Sequence, residues 1–223
     1  VLVLTPGYQQ PFLPEREGQM LYQVTDWDDA YANGAHIPQA EGFVPRWQKA
    51  AARFRAAHPP EPLGRGHLFR PSGTPRGLMV FIHGGYWMAF DPGTWSHLAA
   101  GALARGWAVA LPAYTLAPDA RIAQMVREVA AAITEAAARV DGPIALTGHS
   151  AGGHLAARMV CDDATLPDAV AERVTACVPI SPLADLRPLL RTAMNATLRL
   201  DAPEAAAESP ALLVPRTGIP VTT

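Results

Sequence analysis

Apolar positions along the chain follow two patterns, and the change comes at Gly66. Before it the chain is irregular, with Pro and Gly scattered through residues 1–62. One helical stretch stands out there. Phe43 to Ala57 places Val44, Trp47, Ala51 and Phe54 near a 3.6-residue spacing, and His58-Pro59-Pro60-Glu61-Pro62 ends it and begins a rigid connector. From Gly66 onward, short apolar runs alternate with amphipathic stretches. Leu78–Ile82, Trp107–Leu111, Ile144–Thr147 and Val174–Ile180 read as strands. Thr94–Arg105 (closed by Gly106), residues 119–140 and Ala151–Cys161 read as helices. In the longest of these, Ile122, Met125, Val126, Val129, Ile133 and Val140 form one stripe, and Gly142-Pro143 breaks the pattern. Strands that are apolar throughout, rather than alternating, are buried on both faces. The repetition therefore predicts an α/β fold, a mostly parallel sheet covered by helices on both faces. In such a sheet the reactive loops lie at the carboxyl ends of the strands.

Composition narrows the function classes. With 223 residues the chain is long enough for one large domain, here an N-terminal region 1–62 followed by a core 63–223. A hydrophobic fraction of 49% against 17% charged excludes a disordered or fibrous chain. The net charge of −2 offers no basic excess to neutralise phosphates, so nucleic acid is not an expected partner. No window approaches the length of a membrane span, and Val1 to Leu4 is too short for a secretory apolar region. A cytoplasmic protein is the default, a leader removed before Val1 aside; self-association is compatible with the composition. Cys161 and Cys177 are too few for a disulfide framework and read as buried free thiols. No metal-ligand spacing and no phosphate-cradling loop occurs, so neither a metal nor a cofactor is expected.

Two short segments carry chemistry. Gly148-His149-Ser150-Ala151-Gly152 matches G-x-S-x-G between the run 144–147 and the helix from Ala151. Composition alone predicts about 0.03 such matches in this chain. A serine on a sharp strand-to-helix turn stands clear of the sheet as an accessible nucleophile. Its neighbours must be small, and Gly148, Ala151 and Gly152 are. His83-Gly84-Gly85-Tyr86-Trp87 directly follows the strand 78–82. Two glycines there let the backbone approach a ligand closely, and their amides with that of Ala151 can converge on one oxygen as an oxyanion hole. His83 then orders the loop.

These segments resemble the α/β-hydrolase superfamily, and within it the kynurenine formamidase-like and small carboxylesterase branch. Tyr114-Thr115-Leu116-Ala117-Pro118, Ser181-Pro182-Leu183-Ala184-Asp185-Leu186 and Trp27-Asp28-Asp29-Ala30-Tyr31 are also similar to that branch, so the resemblance spans residues 26–215. It implies that Ser150 is the nucleophile, that Gly84, Gly85 and Ala151 supply the oxyanion amides, and that Tyr86 and Trp87 line the acyl or aryl pocket. The implied activity is hydrolysis of small carboxylic esters through an acyl-enzyme. An aryl formamidase acting on N-formylkynurenine is the alternative, and a non-catalytic binding protein on a hydrolase fold the second alternative. Part of region 1–62, with Trp27, Tyr31, Phe43 and Trp47, is expected to fold over the strand ends and narrow the entrance.

The family's order is serine, then acid, then histidine. After Ser150 the chain has one histidine, His154, one helical turn on, where a buried packing role is the expectation. Ile219 to Thr223 reads as the start of the strand that leads to the acid. A core lacking its C-terminal strands and helix is therefore expected. At ordinary element lengths the remainder amounts to roughly 40–50 residues. No acid–histidine pair is expected within hydrogen-bonding distance of Ser150.

Overall fold

A computed structural model describes residues 24–223. The chain begins with the short helix α1 (Trp27–Tyr31), whose first turn is capped by Asp26. Next comes α2 (Phe43–Ala57), with the ends the apolar spacing predicts. Strands β1 (Glu61–Leu63) and β2 (Gly66–Phe69) form an antiparallel hairpin, with Leu63 opposite Gly66. This hairpin corrects the expected boundary at residue 62. The rigid connector expected here gives way to pairing at its end, because Glu61 pairs with Leu68 and the sheet starts inside the proline run. The physical reason is position: β1 is an edge strand, where a proline forfeits no ladder bond.

Strand β3 (Leu78–Ile82) follows. The apolar spacing predicts one helix over residues 94–105. They divide into a 3-10 helix, Pro92–Ala99, and the single α-turn α3 (Ala100–Leu103). Asp91 accepts from the Thr94 amide and Pro92 opens the first turn, so the start is fixed two residues early. Then come β4 (Ala108–Leu111), α4 (Ile122–Arg139), β5 (Ile144–His149), α5 (Ala151–Arg158), α6 (Asp168–Ala171) and β6 (Val174–Ile180). Two short helices, α7 (Asn195–Leu198) and α8 (Ala202–Ala207), lie beyond β6.

The six strands lie in the order β1-β2-β4-β3-β5-β6. β4, β3, β5 and β6 are parallel, and only β2 runs against them; β1, antiparallel to β2, points the same way as the other four. Helices cover both faces. On one, α4 buries Ile122, Met125, Val129 and Ile133 in a cluster that also holds Leu78, Val80, Ile82, Ile144 and Leu146. On the other, α2 meets Phe69 and Trp95: the Phe54 and Phe69 rings stand 5.5 Å apart, and those of Trp47 and Trp95 4.8 Å. Two-sided burial holds for β3, β4 and β5 but not for β6. There Val178 and Ile180 are 42% and 46% exposed, because only one face of β6 is covered. Along its outer edge Cys177 donates to the Pro220 carbonyl (2.9 Å) and accepts from the Thr222 amide (3.0 Å). Residues 220–222 thus make a parallel bridge where the sequence predicts a strand to begin.

Cys161 and Cys177 are buried and free. Burial, with the nearby Cys161, pushes the Cys177 thiol up to about 12. Arg173, at the entry to β6, spreads its guanidinium over the end of α4. It donates to the carbonyls of Ala137 (2.8 Å), Val140 and Gly142 (2.8 Å). Among the described residues, no helix is long and apolar enough to cross a membrane.

Helix α5 packs close to β3 because Gly152 has no side chain. A methyl group there would press into the Ile82 carbonyl and stand 2.5 Å from that of His83. Gly152→Ala is therefore expected to lower the unfolding free energy by about 2–4 kcal/mol in urea titrations. A loss below 0.5 kcal/mol, on the order of a surface change, would show that α5 can shift to make room.

Candidate active site

Strand β5 ends at His149, and Ser150 turns the chain into α5 with φ 56° and ψ −118°. A residue bearing a side chain pays for such a backbone, so it must be held from outside. Two backbone hydrogen bonds hold it. The Ser150 amide donates to the Ile180 carbonyl at the end of β6 (2.9 Å), and the His154 amide donates to the Ser150 carbonyl as the first turn of α5 closes (2.9 Å). The amide of Ala151 is left at the open, positive end of that helix. Gly148 is required as well, since a Cβ there would lie 2.5 Å from the Gly152 carbonyl carbon.

The loop after β3 lies flush against this turn. A Cβ on Gly84 would sit 3.2 Å from the Cβ of Ser150 and 2.6 Å from the His149 carbonyl oxygen. Only glycine allows that approach. Gly85 (φ 117°), Tyr86 (φ 50°) and Trp87 (φ 57°) are all left-handed. The loop folds back on itself as Met88 and Ala89 donate to the Gly85 carbonyl (2.9 and 3.0 Å), and Ala117 donates to the Trp87 carbonyl (2.8 Å). His83 is buried, and its Nδ1–H donates to the Gly84 carbonyl (2.9 Å). The Tyr114 ring stacks on it at 4.5 Å, with the phenol donating to the His83 carbonyl (2.9 Å). Burial lowers the His83 pKa and raises that of Tyr114, so both stay neutral at physiological pH.

The structure thus brings Ser150, Gly84, Gly85 and Ala151 to one place at the carboxyl ends of β3 and β5. Tyr86 is half-buried beside them and donates its hydroxyl to the Tyr31 carbonyl (2.7 Å). Trp87 departs from the expectation. Its ring is fully buried, edge-on to His154 with ring centroids 5.2 Å apart, so it belongs to the core and not to a pocket wall. The left-handed turn at Trp87 drives the indole inward, a direction that residue type alone does not specify.

His154 is wholly buried, and its Nε2–H donates to the Glu208 carbonyl (2.6 Å). Nδ1 is buried without a partner, so a second proton would be stranded in an apolar shell. Burial, aided by the charge of Arg158, pushes its pKa down to about 4. Arg158 is tied to Glu208 and Asp163, both at 2.8 Å. Among the acids, Asp185 is gripped by Arg187 (2.7 Å), which holds its carboxyl below the usual range. No hydrogen-bonded acid–histidine pair reaches Ser150 among the described residues, nor do three or more His, Cys, Asp or Glu side chains gather as a metal site. Sequence reasoning missed the Tyr31 carbonyl as the partner of Tyr86. A backbone acceptor carries no side-chain signal, although Tyr31 lies in a segment the resemblance includes.

An elbow serine facing a paired-glycine loop, on a parallel sheet wrapped by helices, defines the class. The chain belongs to the α/β hydrolase fold family, whose model matches residues 79–211. Among characterised relatives, a kynurenine formamidase of Danio rerio is 32% identical over 137 residues, 60% of this chain and 46% of that protein. A kynurenine formamidase of Salmo salar is 31% identical over 143 residues, 62% of this chain and 48% of that protein. The chain spans about half the length of the curated relatives it matches. In crystal structures, a Silicibacter protein provisionally designated a thioesterase superposes with a TM-score of 0.84 at 51% identity, covering 89% of this chain and 79% of that one.

The His154 environment has a consequence for stability. In the unfolded chain a histidine takes up its proton near pH 6.5, whereas the folded chain resists until about pH 4. The unfolded state therefore binds more protons between these limits. Stability that is full above pH 6.5 should fall by about 3 kcal/mol as the pH drops to 4, then level off with respect to this group. Denaturant melts of the wild type and His154→Gln across that range check it. The variant should lose most of this slope.

Proposed function

We propose that this protein is a serine hydrolase that cleaves small carboxylic esters through an acyl-enzyme on Ser150. The observation that carries the reading is the left-handed Ser150 turn with the Gly84 backbone seated against it. In this reading Ser150 Oγ attacks the substrate carbonyl carbon and its proton passes to a base. The carbonyl oxygen takes up the negative charge and is met by the amides of Gly84, Gly85 and Ala151. A donor of this kind is worth about 3 kcal/mol in the transition state. The tetrahedral species collapses, the alcohol leaves with the proton held by the base, and water then releases the acid by the same steps in reverse roles.

His83 and His154 are poor candidates for the base. One donates Nδ1–H to the Gly84 carbonyl, the other Nε2–H to the Glu208 carbonyl, and both are buried. In the family's triad the base is a histidine that follows the acid in the chain. The acid limb of kcat/KM is accordingly expected near pH 6.5 rather than near 4.

A second reading has specific support. The Danio rerio and Salmo salar relatives are kynurenine formamidases, and a formamide is hydrolysed by the same attack with formyl as the acyl group. The Silicibacter neighbour adds thioesters to the acyl donors worth comparing. Part of the segment before the sheet, through Tyr31, is read as narrowing the entrance beside Tyr86.

In the complete polypeptide, an organophosphonate should label Ser150, and Ser150→Ala should cut kcat by several orders of magnitude. Undiminished turnover in that variant would remove Ser150 from the role. Turnover of an aryl acetate, N-formylkynurenine and an acyl thioester, measured side by side, ranks the substrate classes. A folded protein with neither labelling nor turnover would place the chain with binding proteins.

A further inference from the structure

The loop from Gly85 to Trp87 holds three successive left-handed residues, two of them bulky. Such backbone persists only where its surroundings over-determine it. Gly85 is held through its carbonyl, which takes two amides, and Trp87 through its buried ring and its carbonyl. Tyr86 packs partly against the core, and its hydrogen-bond anchor is its hydroxyl, which reaches 55 residues back to the Tyr31 carbonyl at 2.7 Å.

Tyr31 is the last residue of α1, and α1 is tied at its other flank. The Asp28 carboxylate accepts from the Ala193 amide (2.6 Å), and the Arg191 guanidinium lies over the Trp27 ring, 5.1 Å from its centre. Residues 191–193 belong to the segment that follows β6. The sheet order places β5 between β3 and β6. Helix α1 therefore joins the loop after β3 to the segment after β6, and it does so across the strand that carries Ser150.

We propose that α1 is a clamp that fixes the oxyanion loop against Ser150, with Tyr86 and Asp28 as positioning residues. The inference rests on the reading of Ser150 as nucleophile. The clamp acts on the amides of Gly84 and Gly85, which lie two positions and one position before the Tyr86 anchor. Those amides matter most when charge has developed on the substrate oxygen, so loosening them costs rate more than binding. Displacements well under the length of a hydrogen bond are enough to be felt. Asparagine at position 28 keeps an oxygen acceptor for the Ala193 amide; alanine does not.

The test compares Tyr86→Phe, Asp28→Ala, Asp28→Asn and the Tyr86→Phe/Asp28→Ala double variant in the complete polypeptide. One readout is steady-state hydrolysis of an aryl acetate with the rate of Ser150 phosphonylation. The other is amide hydrogen exchange over residues 84–90, which does not depend on turnover. Tyr86→Phe and Asp28→Ala should each lower kcat and the labelling rate about tenfold while KM stays within about twofold. Asp28→Asn should resemble the wild type, and the double variant should be no slower than the worse single one, since both cut the same link. Exchange over 84–90 should rise several-fold in Tyr86→Phe and Asp28→Ala but not in Asp28→Asn. Unchanged exchange overturns the clamp, and so does a lowered melting temperature with kcat intact. Raised exchange in a protein that is never labelled at Ser150 upholds the clamp and overturns the catalytic reading instead.

Discussion

The distance between one helix and one strand sets the terms for the rest of the molecule. α5 must come close enough to β3 and β5 that Ser150 sits at the top of the sheet and not behind it. That closeness leaves no room for a Cβ at Gly148 or Gly152. The same contact obliges Ser150 to turn left-handed, and the two backbone hydrogen bonds around it supply the restraint the turn needs. The Gly84 backbone then fills the space the turn opens. Each small residue in the two motifs thus answers to a steric demand, and the reactive geometry is the sum of those demands.

Polar groups around the site divide into those that can meet a ligand and those that hold the backbone. His83, Tyr114 and His154 are neutral and buried, and each donates to a main-chain carbonyl. Their chemistry is spent on the loop and on the segment around Glu208. Ser150 is only partly buried, and Ala151 opens the first turn of α5 directly after it. Trp87 marks the division: the residue after half-exposed Tyr86 is entirely inside.

Much of this was legible from the residues. Continuous apolar runs announced the parallel strands β3 to β5, and a G-x-S-x-G between one such run and a helix announced the elbow. What escaped depends on long-range pairing or on backbone direction. The hairpin of β1 and β2 hides in a proline run because its pairing partner in the sheet, β4, lies some forty residues away. The 3-10 turns over Pro92–Ala99 share their apolar residues with an α-helix, and only Asp91 and Pro92 betray the tighter start. Trp87 resembles a pocket residue by type, yet its φ angle sends it inward. β6 reads as a two-sided strand by composition, yet its outer positions are open.

Arg173 holds the end of α4 with three donors, and every acceptor is a neutral carbonyl. Several other guanidinium contacts on the exterior, such as those of Arg65 with Glu128 and Arg121 with Asp201, join opposite charges. Ionic strength separates the two kinds. Salt screens an exposed pair of ions, but it has little purchase on a planar fork matched to three peptide oxygens. A lysine would keep the charge and lose the fork. At that corner, where α4 hands the chain to β5 and the next strand begins, shape outranks charge, and the joint should tolerate brine better than it tolerates a conservative mutation.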